Sequence, residues 1–118
     1  MNLALLSAPY DEAGFRSCSV TGLKLHRSAE RPVKLFVITA VVAMVLGGIA
    51  ALLVALTRWE AVGLLPAADF YKWLSVHAWS LLIFWMVFME IAILYVGGPM
   101  VLGRKLPAPK LAMTGWGL

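Results

Sequence analysis

From Leu35 to Leu56 the chain reads LFVITAVVAMVLGGIAALLVAL, a run with no ionisable residue. About 20 apolar residues suffice to cross a hydrocarbon core of roughly 30 Å, so the run predicts a membrane-crossing helix over 33–58. It is longer than the apolar region of about 7–15 residues in a secretory signal peptide, and it ends in Thr57-Arg58-Trp59-Glu60 without a small-residue cleavage site. It is therefore expected to stay in the mature protein. A second apolar stretch occupies 70–102, interrupted only by Lys72, His77 and Glu90 before Gly97-Gly98-Pro99. Between the two, 59–69 holds Gly63 and Pro66, which suit a connection at the membrane surface, and the rings of Trp59, Tyr71 and Trp73 favour interfaces. The tail, 1–32, mixes Ser, Gly and both charge signs without sustained periodicity and reads as mostly irregular. The expected fold class is an all-α membrane protein built as a two-helix transmembrane hairpin, with 103–118 as a cytoplasmic exit. No internal repeat appears.

Composition fixes the solvent. Hydrophobic residues make up 62% of the 118 and charged residues 14%, and the mean hydropathy is +0.87. Soluble domains average roughly 45–50% apolar and about 25% charged residues, so a small chain of this kind belongs in lipid. Cys18 stands alone, which excludes a disulfide-stapled scaffold.

The net charge of +4 marks topology instead of a nucleic-acid surface, because the cations flank the apolar runs. Arg16, Lys24, Arg27, Arg31 and Lys34 precede the first run, Arg104, Lys105 and Lys110 follow the second, and the connection carries only Arg58 and Lys72. Cytoplasmic flanks are enriched in Lys and Arg, so both termini are expected in the cytoplasm. Along the first helix Ala43, Gly47, Ala51 and Ala55 recur every four residues, a small-residue face suited to close helix packing. The second helix is bulky, with Trp79, Phe84, Trp85, Phe88 and Tyr95. Two helices alone leave such aromatic surface without a partner, which implies a larger assembly.

Ionisable residues inside a membrane span are functional candidates by default. There are two, His77 and Glu90. At 1.5 Å per residue His77 lies roughly 9 Å below Tyr71, on the non-cytoplasmic side. A neutral imidazole there needs a hydrogen bond or a metal, and it is a common ligand of haem iron. A histidine hydrogen-bonded within a helix bundle satisfies the same pattern. Glu90, thirteen residues on, falls about 140° around a regular helix from His77, so the two form no dyad. Glu90 is open to three readings: a protonated acid, a partner for a base, or a step in proton uptake. His26, among Lys24, Arg27 and Arg31, reads as a solvated surface residue. Arg58 closes the first helix on the same side as His77, where a guanidinium can meet a carboxylate, snorkel to headgroups or pair with Glu60. No phosphate-binding glycine loop, activated nucleophile or clustered metal-ligand set is present, so the chain has no complete active site.

From about Leu35 to Leu118 these features resemble subunit I of the haem-copper oxygen reductases, the family of the cytochrome c oxidases. The likeness rests on Arg58-Trp59-Glu60 at the end of the first helix, on Phe70-Tyr71-Lys72-Trp73-Leu74-Ser75-Val76-His77-Ala78 opening the second, and on the aromatic helix with its Gly103-Arg104-Lys105-Leu106 exit. The resemblance implies that His77 is an axial ligand of the low-spin haem, of a or b type, and that Arg58 contacts that haem's substituents. Glu60 would match an acid that in some members helps hold a structural cation. The opposite axial histidine, the copper ligands, the high-spin haem's ligand and the cross-linked tyrosine belong to later helices absent from this sequence. The chain thus looks like the amino-terminal part of the subunit. Its expected partners are the remaining helices or a companion chain, other oxidase subunits and the lipid of a prokaryotic-type cell membrane. Its role would be electron transfer in a proton-pumping respiratory oxidase. The alternative is a cofactor-free two-helix accessory or assembly subunit, which has no need of His77 and Arg58 on one membrane side.

Overall fold

The computed structural model describes residues 9–18 and 20–117. Residues 1–8, Ser19 and Leu118, parts of the expected tail and exit, lie outside the described residues. The chain is mostly helical. A short hairpin, β1 (Phe15–Ser17) and β2 (Lys24–His26), leads into α1 (Arg27–Arg58). A second long helix follows in three stretches: α2 (Ala67–Ala78), a π-helical segment (Trp79–Trp85) and α3 (Met86–Leu102). A short helix, α4 (Pro109–Gly117), comes last.

Arg27–Arg58 and Ala67–Leu102, with window hydropathies of 2.7 and 2.1, are long and apolar enough to cross a membrane. A core helix of a soluble protein is mostly buried, whereas only 22% and 6% of these windows are. Their apolar surface faces outward, as lipid or other helices require.

The described residues form two compact units, one drawn from the chain up to Phe36 and from Ile91 onward, the other from Val37 to Glu90. In the first, the hairpin corrects the expectation of an irregular tail. Phe15 pairs with His26 and Ser17 with Lys24 in antiparallel register. The Asp11 carboxylate accepts the Phe15 N–H at 2.7 Å, and Gly14 and Gly22 supply left-handed turn conformations.

Helix α1 then starts at Arg27, earlier than the expected 33, and runs through Pro32. A proline inside a helix forfeits a backbone hydrogen bond and costs about 3 kcal/mol. Burial offsets it: Pro32 and Ala29 are enclosed, and Ala29 packs with Leu25, Leu106 and Ala112 in one apolar cluster. Ser28 ties the cluster together. Its hydroxyl accepts the Leu106 N–H at 3.0 Å and lies 2.8 Å from His26 Nδ1, which also accepts the Ser28 N–H at 3.0 Å. His26 is thus half-buried and structural, edge-on to Phe15 at 4.8 Å, and not the solvated residue expected.

Beside it Arg16 pairs with Glu30 at 3.4 Å and lies over the Tyr10 ring at 4.2 Å. The hydrogen bond Tyr10 donates to Glu30 holds its phenol above the ordinary tyrosine range, with burial adding to the effect. At the far end, Gly103 in left-handed conformation stops α3, and the Arg104 N–H returns to the Pro99 carbonyl at 3.0 Å.

In the second unit the buried positions of α1 are Ala40, Ala43, Gly47 and Ala50. The expected stripe at every fourth residue holds for Ala43 and Gly47, but Ala51 is half-buried and Ala55 exposed. Alternating steps of three and four keep a seam straight along a helix of 3.6 residues per turn, whereas steps of four drift around it.

Candidate functional site

The site in the second unit begins with Gly47, where α1 and the second long helix touch. A Cβ built on Gly47 would lie 2.8 Å from Leu81 Cγ and 3.1 Å from Ser80 Cβ. Only glycine permits this approach, and it exposes the Gly47 carbonyl to the neighbouring helix. His77 Nδ1 lies 2.9 Å from that carbonyl oxygen. A carbonyl can only accept, so Nδ1 carries the proton and donates. In the neutral ring the lone pair therefore belongs to Nε2, which points the imidazole's one basic atom away from the Gly47 contact. A metal-bound histidine characteristically donates its other ring N–H to a carbonyl or carboxylate, fixing tautomer and orientation.

Helix α2 starts at Ala67, four residues before Tyr71, so His77 lies about 15 Å along the axis from the helix start and about 9 Å from Tyr71. Gly47 is eleven residues before Arg58, about 16 Å from the same end of α1. The ring is half-buried within an otherwise apolar stretch.

The π-helical turn starts two residues after His77, and the Met86 N–H reaches back five residues to the Leu81 carbonyl. Wide turns of this kind are frequent at functional sites. This one slows the helix's rotation, so the 140° angle between His77 and Glu90 on a regular helix does not hold. Glu90 is exposed and joins neither ion pair among the described residues.

Arg58 is exposed in the last turn of α1, where a cation complements the helix dipole, and it does not pair with Glu60. Lys72 pairs instead with Asp69, at 2.9 Å.

One imidazole nitrogen cannot by itself hold a bare ion, and the described residues contain no group of three His, Cys, Asp or Glu that could. A single imidazole nitrogen could at most supply one ligand to a metal whose other ligands come from elsewhere, as in haem. The sequence signal for Gly47 lay only in the small-residue stripe, and nothing in the pattern marked the π-helical turn. Compared with known protein families, curated proteins and solved structures, the chain matches none of them.

Proposed function

We propose that the chain is the amino-terminal part of a haem-copper oxygen reductase subunit I, and that His77 gives one axial ligand to its low-spin haem. The observation that carries this reading is the Nδ1–H of His77 on the Gly47 carbonyl, 2.9 Å away inside an apolar span, which leaves Nε2 as a fixed donor. The haem would supply one-electron transfer toward an oxygen-reducing centre held by other helices, coupled to proton pumping. The chain's own residues do the positioning. Gly47 orients the imidazole, the apolar helices exclude water, and Arg58 offers a cation at the outer end. The two long helices form a transmembrane hairpin, the first pair of a larger bundle, and the exposed flanks at Leu82, Leu94 and Val101 supply the surfaces other helices would cover. The spectral test is direct: the assembled protein shows a low-spin haem in its reduced-minus-oxidised spectrum, and His77→Ala removes it. An unchanged spectrum returns the chain to the class of cofactor-free accessory subunits.

Both termini lie in the cytoplasm in this reading, as the Lys and Arg flanks require. A phosphatase reporter fused near Ala68 is expected to be active outside, and one fused near Lys110 inactive. The reverse activities would overturn the orientation.

Arg58 tunes the haem without binding iron. A guanidinium whose α-carbon sits about 16 Å up the helix from Gly47 is out of reach of the metal but suited to a propionate. Arg58→Met is expected to keep the haem and lower its midpoint potential, because a lost positive charge favours the ferric form. For a one-electron couple a tenfold change is about 59 mV, and the expected shift is tens of millivolts, less where water screens the site. Redox titration of variant against parent decides it, and an unaltered potential would leave Arg58 as an interfacial arginine.

A further inference from the structure

The first unit gathers three cations onto one hollow. Arg27 and Arg31, one turn apart at the start of α1, and Lys110, in the first turn of α4, line a cavity of about 340 Å³ with Pro32 and Met113 among its walls. Among the described residues no acidic side chain lines it. Glu30, the acid nearest in sequence, is engaged with Arg16, and none of the three cations takes part in an ion pair among the described residues. Two helix starts border the same space, and the positive ends of their dipoles add to the local charge. The surrounding structure is tied down: Ser28, also on the wall, is held by Leu106 and His26, so the cations project from a packed base and not from a loose tail. Like charges brought together repel, and an anion that bridges them relieves the repulsion.

We infer that this hollow binds a phosphate group, presented by an anionic phospholipid headgroup or by free phosphate. Its place at the start of one membrane-crossing helix, with apolar Pro32 and Met113 beside the cations, suits a headgroup whose tails continue into lipid. The inference is independent of the haem reading.

The test uses the full chain in neutral maltoside micelles, with retained phosphatidylglycerol and phosphatidylcholine counted by native mass spectrometry. Phosphatidylglycerol should be retained in preference to phosphatidylcholine and released at high salt. Each of Arg27→Gln, Arg31→Gln and Lys110→Gln should weaken retention about fivefold, and the three together roughly a hundredfold. Arg104→Gln with Lys105→Gln removes two cations of the same membrane face that do not line this hollow, and should change nothing. Inorganic phosphate at millimolar concentration separates the sources: failure to displace the lipid assigns the site to headgroups, and displacement assigns it to free phosphate. Equal retention of both lipids, a loss on Arg104/Lys105 substitution as large as that of the triple variant, or an unaffected triple variant would overturn the site. Should the triple variant misfold by circular dichroism, salt-insensitive retention by the parent overturns it instead.

Discussion

His77→Ala is expected to abolish the low-spin haem signal of the assembled protein while costing the helix pair only about 1 kcal/mol. The two effects differ because they use different ring atoms. Nδ1 donates to the Gly47 carbonyl, a bond worth roughly 0.6 kcal/mol on average between membrane helices and about 1.7 at most. In the haem reading Nε2 would be the donor to iron, and neither alanine nor water at that depth would replace it. His77→Asn separates the atoms. An asparagine amide nitrogen sits close to where Nδ1 does and can still donate to Gly47, but it offers no counterpart to Nε2. A histidine that only ties two helices together would be rescued by Asn, with the spectrum and the thermal stability both close to the parent. A ligand would not: Asn should restore stability and leave the haem absent. Optical difference spectra and thermal unfolding, measured on the three proteins purified with the helices they assemble with, give the two readouts. A haem signal surviving in either variant would end the ligand assignment.

The division between what the residues announced and what they hid follows from range. Both long helices were legible because lipid removes the ambiguity of amphipathic patterns: an uninterrupted apolar run of this length has few other stable fates. His77 was legible for the same reason, as an ionisable group where ionisable groups are expensive. Helix starts were less so. Pro32 argues locally for a boundary, and the packing of Ala29 against its neighbour Leu25 and against Leu106 and Ala112, distant in sequence, carries α1 back to Arg27. The hairpin before it depends on Asp11, Gly14 and Gly22 at turn positions, too short a pattern to register as periodicity. The Ser28 link to Leu106 crosses most of the chain and has no local signature at all. The π-helical turn over Trp79–Trp85 has no signature in the hydrophobic pattern, and it shows how an angular argument from 100° per residue fails once a helix changes its pitch.

Gly47 and Gly48 adjoin in sequence, and alanine substitutions at the two are expected to act with opposite sign. A Cβ at Gly48 meets nothing within 4 Å, so Gly48→Ala gains the usual helix advantage of alanine over glycine, roughly 0.5–1 kcal/mol. A Cβ at Gly47 would lie 2.8 and 2.9 Å from Leu81 Cγ and Cδ2, and 3.1 Å from Ser80 Cβ. The leucine can rotate, but the serine Cβ is fixed to its backbone, so the helices must part. Overpacking of this kind costs about 1–3 kcal/mol, which outweighs the propensity gain. Gly47→Val, with two further methyl groups, should be worse than Gly47→Ala. Parting the helices also carries the Gly47 carbonyl away from Nδ1, so the imidazole loses its orientation and haem occupancy should fall in step with stability. The pairing can be checked by relief: Leu81→Ala in the Gly47→Ala background removes the two closest contacts and should recover part of the loss, a coupling that additive substitutions would not show. Thermal unfolding in detergent and haem occupancy per chain measure both consequences. If Gly47→Ala proves as stabilising as Gly48→Ala, the close approach at Gly47 is wrong, and with it the geometry that fixes the tautomer of His77.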